Sequence, residues 1–217
     1  ISGVGMYGPH ISGTAISLSN TPLFWGRSLV VGETESTVSN VFKNCKNGIY
    51  GLGDANYIIY NNTFGDENEP TDKIDDNAIF LQGFSSVVDI DHGNKFYDYH
   101  IGIELYRFYQ SSEIEIKNNV FYNASLQSGI DFTGTAILMN NKIPISKIAN
   151  GLIENNDIGV WANPNYFQPR IGIHLGNTGG FTIADNRIKF NVETIPSVEY
   201  RGIRLENSGE TVIKDNT

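Results

Sequence analysis

Four polar side chains stand at the same place in a short recurring phrase, a small residue followed by Ile, any residue and an apolar one. They are Glu104 in Gly102-Ile103-Glu104-Leu105, Asp131 in Gly129-Ile130-Asp131-Phe132, His174 in Gly172-Ile173-His174-Leu175 and Arg204 in Gly202-Ile203-Arg204-Leu205. If these phrases are strands that bury Ile and Leu, the residue between them points outward, and the four side chains share one surface. Carboxyl groups and an imidazole are the usual proton-transfer groups, and a guanidinium holds carboxylate ligands through paired hydrogen bonds. The set therefore suits acid/base chemistry on an acidic sugar polymer. It equally suits a hydrated sheet face whose mixed charges do nothing specific.

Two more groups of residues have ligand-binding chemistry. On the same alternation the outward row also carries Tyr50 and Phe80, with Gln82, Tyr106 and Glu206 in the next column and a choice of Asp131 or Pro144 between Glu104 and His174. Aromatic rings offer flat apolar faces to sugars, so Phe80, Tyr106, Trp161, Tyr166, Arg170 and Arg204 are the candidate ligand contacts. Trp161, Tyr166 and Phe167 lie in the segment from Trp161 to Arg170, where they either stack on a ligand or fold back over the sheet edge. The acidic run from Gly65 to Asn77 supplies oxygen ligands for Ca²⁺ from Asp66, Glu67, Asp72, Asp75 and Asp76. It lacks the alternating acidic spacing of a known calcium loop and reads as readily as a solvated turn. No organic cofactor is implied.

The elements that must position these residues follow from composition and spacing. The chain holds 25 Asn, 27 Ile and 23 Gly but only 7 Pro. Asn and Gly are poor helix formers, whereas Ile fits a pleated surface, so many short strands with tight bends are expected. A second phrase, Asn-x-Phe or Asn-x-Ile, recurs at Asn40, Asn62, Asn94, Asn119, Asn156 and Asn186, with Asn216 following in step, and alternates with the first. From the small residue to the next Asn the distance is nearly constant: 14 residues from 48 to 62, 16 from 78 to 94, 17 from 102 to 119, and 14 from both 172 and 202. The return arc varies from 8 to 16 residues. Extra length therefore enters at one phase, in loops at about 65–77, 159–170 and 189–201 that should wall a groove beside the outward row.

A unit of this kind cannot bury its face alone and must stack on its neighbours. Asparagines at equivalent bends then hydrogen-bond along the stack, and Asn also tolerates the left-handed conformation that such bends need. The expected fold is all-β, a right-handed parallel β-helix of about seven to eight coils. Residues 1–217 form a single domain on this reading, with 1–37 as atypical first coils, in which Phe24 and Trp25 cover or extend the stack, and 38–217 as regular repeats. Ile49, Ile79, Ile103, Ile173 and Ile203 should form one inward column. Residues 119–156 fit either one coil with a long insertion, using Ile143-Pro144-Ile145 as its strand, or two coils with a corner at Asn141; the 15 residues left for a second coil favour the first.

The repeat resembles the right-handed parallel β-helix family of pectate-lyase-like proteins, and in particular the Asn- and Ile-rich repeats of large secreted bacterial surface proteins. That resemblance implies an extracellular or cell-surface setting and a scaffold shared by lyases, hydrolases, adhesins and phage fibres. The pectin-hydrolase-like members carry Asn-x-Asp, Asp-Asp, Gly-His-Gly and Arg-x-Lys. Here Asp75-Asp76, Asp91-His92-Gly93 and Arg201-Gly202-Ile203-Arg204 keep the order but break each motif, with Asp75-Asp76 expected in an insertion and His92 on the far arc from the groove. The reading is a non-catalytic segment of a longer surface protein, a stalk or an adhesin that binds polysaccharide. A lyase or hydrolase acting on an acidic glycan is the alternative, with a phage-type receptor-binding fibre third.

Charge narrows the partners. With 15 basic and 24 acidic residues the formal charge is −9, so a basic nucleic-acid surface is not supplied. No run of apolar residues is long enough for a membrane span, and none follows a basic start as a signal peptide would. The expected partners are a polysaccharide or cell-surface glycan and adjoining segments of the same longer chain. Cys45 is the only cysteine and leaves the redox compartment open.

Overall fold

The computed structural model describes residues 11–18, 28–34, 39–66, 74–83, 87–97, 99–108, 112–122, 134–141, 151–159, 170–190 and 200–217. All of its regular structure is strand. In chain order these are β1 (Ile11–Leu18), β2 (Ser28–Val31), β3 (Asn40–Phe42), β4 (Cys45–Leu52), β5 (Asn56–Tyr60), β6 (Asn62–Phe64), β7 (Ile74–Gln82), β8 (Val87–Asp91), β9 (Lys95–Phe96) and β10 (Tyr99–Tyr106). There follow β11 (Glu113–Lys117), β12 (Val120–Phe121), β13 (Thr135–Asn140), β14 (Gly151–Glu154), β15 (Asp157–Ile158), β16 (Ile171–Gly176), β17 (Phe181–Ala184), β18 (Arg187–Ile188), β19 (Arg201–Glu206) and β20 (Val212–Lys214). Every third strand pairs in parallel with the next. Sheet 1 is β1-β4-β7-β10-β13-β16-β19, sheet 2 is β2-β5-β8-β11-β14-β17-β20 and sheet 3 is β3-β6-β9-β12-β15-β18. The chain thus winds through the three sheets in turn, as a right-handed parallel β-helix does.

Each sheet contributes a principal column to the interior, and sheet 1 adds a second through Leu81, Leu105, Met139 and Leu175. Sheet 1 aligns Ile16, Ile49, Ile79, Ile103, Ile137, Ile173 and Ile203, so the expected inward column is present and gains Ile16 and Ile137. Sheet 2 aligns Val31, Ile59, Ile90, Ile116, Ile153, Ile183 and Ile213. Sheet 3 stacks Phe42, Phe64, Phe96 and Phe121 with ring centroids 4.5–5.0 Å apart and nearly parallel planes, and continues through Ile158 and Ile188. This aromatic column explains the small residue that opens the sheet 1 phrase. A Cβ on Gly102 would lie 2.6 Å from the Ala136 carbonyl oxygen and 2.8 Å from the Phe121 ring.

One buried chain of side chains ties the stack together. Asn40 Nδ2 donates to Asn62 Oδ1 at 2.9 Å, and the same bond repeats from Asn62 to Asn94, Asn94 to Asn119, Asn119 to Asn156, Asn156 to Asn186 and Asn186 to Asn216, all at 2.9–3.1 Å. Each Nδ2 from Asn62 onward also donates to a carbonyl of the preceding coil, as Asn119 does to Ile90 at 2.9 Å. The left-handed residue is the one before the ladder position rather than the ladder asparagine itself: Asn61, Gly93, Asn118, Asn155, Asp185 and Asp215 all have φ between 51° and 78°.

Two sequence expectations are corrected here. Asn119 bonds directly to Asn156, so 119–156 is one coil, but its sheet 1 strand is Thr135–Asn140. Neither Gly129–Phe132 nor Ile143-Pro144-Ile145, both outside the described residues, holds that place. Asn141 is no ladder corner; it is buried beyond β13 and its Oδ1 accepts from the Phe108 amide at 3.1 Å. Likewise Asp75 and Asp76 are the second and third residues of β7 rather than part of an insertion. Phe24 and Trp25 lie outside the described residues.

Ile103→Ala empties a fully buried mid-stack position and should cost about 2–5 kcal/mol in urea unfolding; a loss below about 0.5 kcal/mol would place it at the surface. Asn119→Ala removes the buried bonds from Asn119 to the Ile90 carbonyl and to Asn156 Oδ1 and the one it accepts from Asn94, and should cost about 1–3 kcal/mol.

Candidate functional site

Sheet 1 positions the candidate residues, because its outward side chains alternate with the buried Ile and Leu columns. Its central outward row, fixed by strand register, reads Ser17, Tyr50, Phe80, Glu104, Leu138, His174, Arg204. The neighbouring row reads Leu52, Gln82, Tyr106, Asn140, Gly176, Glu206. Leu138 therefore takes the place expected for Asp131 or Pro144. Asp131 itself lies outside the described residues, as do Trp161, Tyr166, Phe167, Glu67 and Asp72. The segments 67–73, 123–133, 160–169 and 191–199 each link a sheet 3 strand to the next sheet 1 strand, so the inserted length enters beside this face.

The row divides into three parts. At one end the Tyr50 and Phe80 rings stack at 4.8 Å with planes 13° apart, Tyr106 adjoins Phe80 at 6.4 Å, and the Arg107 guanidinium lies 5.2 Å over the Tyr106 ring. Of the aromatic run beyond Asn94, Tyr97, Tyr99 and Phe108 belong to the interior, while His100 and Tyr106 are half-buried on the outer side.

Glu104 begins the second part. It is the strand partner of Phe80, and its carboxylate is hydrogen-bonded by the side-chain amide of Asn77. Burial raises the Glu104 pKa, and the negative charge of Asp76 raises it further against the effect of the Asn77 bond. Burial lowers the His100 pKa, opposed by the same Asp76. Asp76, Asn77, His100 and Glu104 thus form a group that the linear phrases did not bring together. The available signal was Asp76-Asn77 directly ahead of Ala78-Ile79, which places both on the start of a sheet 1 strand.

The third part is cationic and largely self-paired. His174 Nε2 lies 3.2 Å from Glu206 Oε2, and the Arg204 guanidinium is hydrogen-bonded to the same carboxylate. That bond holds Glu206 below the ordinary carboxylate range, while burial keeps His174 low in spite of Glu206. Arg170 stands at the start of this part; its carbonyl accepts from the Arg201 amide at 2.8 Å. Glu104 and His174 are two rungs apart, about 10 Å at the usual strand spacing, with Leu138 between them. Glu104, His174 and Arg204 therefore share a face but not a reaction centre.

Of the calcium candidates, Asp75 and Asp76 lie on β7, while Glu67 and Asp72 are outside the described residues. Asp66 is paired with Lys43, and among the described residues no three His, Cys, Asp or Glu side chains are grouped to hold a metal ion. A second ionic cluster lies on sheet 2, where Tyr60 is bonded to Asp89 and set edge-on to His92, and Lys117 is bonded to Glu115 at 2.5 Å and lies 3.7 Å from Asp91. There Asp91 is shared by Lys117 and His92, and these contacts link neighbouring coils of sheet 2.

Three all-parallel sheets stacked in sequence order define a β-helix solenoid. Residues 3–144 match the family model described as the right handed beta helix region, and the chain belongs to that family. No curated protein and no solved structure matches it.

The raised Glu104 pKa carries a pH signature. A carboxyl that binds its proton more tightly in the folded chain adds stability at acid pH, and that contribution is lost as the pH rises from the ordinary value of 4.5 through the folded value. Glu104→Gln should flatten this section of the curve of melting temperature against pH. An unchanged slope would show that Glu104 feels neither burial nor Asp76.

Proposed function

We propose that this chain is a non-catalytic, rigid polysaccharide-binding segment of an extracellular or cell-surface protein. The observation that carries the reading is the outward row of sheet 1, where the stacked Tyr50 and Phe80 rings adjoin the Glu104 carboxyl group along an evenly spaced strip. Stacked rings and hydroxyl acceptors are what an extended sugar chain needs, and a β-helix repeats them at one rung per coil without loop rearrangement. The non-catalytic part of the reading rests on the separation of Glu104 from His174 and on the engagement of Arg204 with Glu206.

One observation favours a second reading, a glycoside hydrolase. Burial, and after it the charge of Asp76, raises the pKa of Glu104, and a carboxyl that holds its proton more tightly near a second carboxyl suits a general acid.

Binding to a panel of soluble polysaccharides, together with assays for reducing ends and for the unsaturated product of a lyase, separates the two. The expected outcome is binding without product. Phe80→Ala should weaken that binding by about tenfold, or 1.4 kcal/mol, while the melting temperature holds. Product formation abolished by Glu104→Gln would establish the hydrolase instead.

A further inference from the structure

We propose that Arg107 is a ligand-binding residue at the end of the aromatic strip on sheet 1, and that it takes a sugar carboxylate from a polysaccharide whose acidic units are spaced between neutral ones. This rests on the glycan-binding reading above and specifies its ligand. The first ground is the backbone. Where the residue that follows a sheet 1 strand is left-handed, it is Gly53, Asn177 or Asn207 in other coils, whereas here it is Arg107 at φ 59°. Gly and Asn reach this conformation at little cost, and a long side chain does not. The asparagines also use the position to join coils: Asn207 Nδ2 donates to Asn177 Oδ1 at 3.1 Å, and Asn177 Nδ2 donates to the Asn141 carbonyl at 2.7 Å. Among the described residues the Arg107 side chain makes no such bond, so the turn it closes does not account for it. Strain kept without a structural return points to a use of the side chain.

The second ground is what that side chain touches. Its guanidinium lies 5.2 Å over the Tyr106 ring, Tyr106 adjoins Phe80 at 6.4 Å and Phe80 stacks on Tyr50 at 4.8 Å, so the cation extends the aromatic strip. All four residues are half-buried, and each keeps surface that a ligand can reach. Arg187 is held by Asp157 and Arg204 by Glu206, but among the described residues no Asp or Glu pairs with Arg107, and the nearby segments 84–86 and 109–111 contain neither. A guanidinium over a ring keeps its N–H donors in its own plane, and the group that matches both that fork and its charge is a carboxylate. One cation beside three rings calls for one acidic unit among neutral ones. The formal charge of −9 repels a polymer that is charged at every unit, which favours the same spacing.

The test is calorimetric titration of the whole chain, at a salt concentration that screens long-range charge, with glucuronoxylan, xanthan and hyaluronate, each also after chemical reduction of its carboxyl groups, and with polygalacturonate. At least one of the three acidic polymers should bind, about tenfold more tightly than its carboxyl-reduced form and more tightly than polygalacturonate. Arg107→Asn should remove that tenfold preference, leave the affinity for the reduced form within about twofold, and raise the melting temperature by about 2–4 °C as the turn loses its strain. Arg107→Lys, which keeps the charge but not the fork, should lose part of the preference. Equal binding of acidic and reduced polymers, tighter binding of polygalacturonate, a preference that survives Arg107→Asn, or a melting temperature that Arg107→Asn lowers overturns this inference while leaving the glycan-binding reading in place. Failure of every polymer to bind overturns both.

Discussion

The hydrogen bond from each ladder asparagine to the asparagine one coil on fixes the register of the rest of the molecule. Asn62, Asn94, Asn119, Asn156 and Asn186 are essentially excluded from water, so a coil that missed its neighbour would bury an unsatisfied amide. Once Asn119 is set against Asn94 and Asn156, Phe121 falls on Phe96 and Ile158, Ile116 on Ile90 and Ile153, and Ile103 on Ile79 and Ile137. A slip of one residue would turn each of these outward. Extra chain is tolerated only where it does not disturb that alignment, which is why four of the long connections leave after sheet 3 and return at sheet 1.

That constraint governs the inside and leaves the outside free. The inward column of sheet 1 is Ile at all seven rungs, whereas the outward row beside it runs Ser17, Tyr50, Phe80, Glu104, Leu138, His174, Arg204. No packing rule produces such variety. The aromatic, acidic and cationic parts of the row are therefore the part of the chain in which ligand chemistry can be written, on a backbone whose spacing is already set.

The fold was legible in the sequence because two residue types repeat for one reason each: Asn for the ladder and Ile for the columns. The outward row followed from alternation and was right at Tyr50, Phe80, Glu104, His174 and Arg204. It failed between Glu104 and His174, where Ala136-Ile137-Leu138-Met139 carries an apolar residue in the outward place and Met in the inward one, while Gly129-Ile130-Asp131-Phe132 imitates the phrase without holding the position. Asp75 and Asp76 were read as loop because β7 begins four residues ahead of its small residue, Ala78. That Asp76 and Asn77 open a sheet 1 strand could be read from their place ahead of Ala78-Ile79, but their approach to Glu104 could not. It depends on the irregular pairing of β7 with β10 between Tyr99 and Ile101, and no linear pattern encodes a register shift.

The ladder also has a direction. Every side-chain bond runs from the Nδ2 of one asparagine to the Oδ1 of the next, from Asn40 through to Asn216, without reversal. Side-chain amides so arranged are dipoles in series, each polarising the next in a medium with little water to screen it. The solenoid thus contains an electrical axis along its length, with amide oxygen facing the Asn40 side and amide hydrogen facing the Asn216 side. A rod that looks uniform in its repeats is polar in its field, and charge placed near one end of the ladder is not equivalent to the same charge placed near the other.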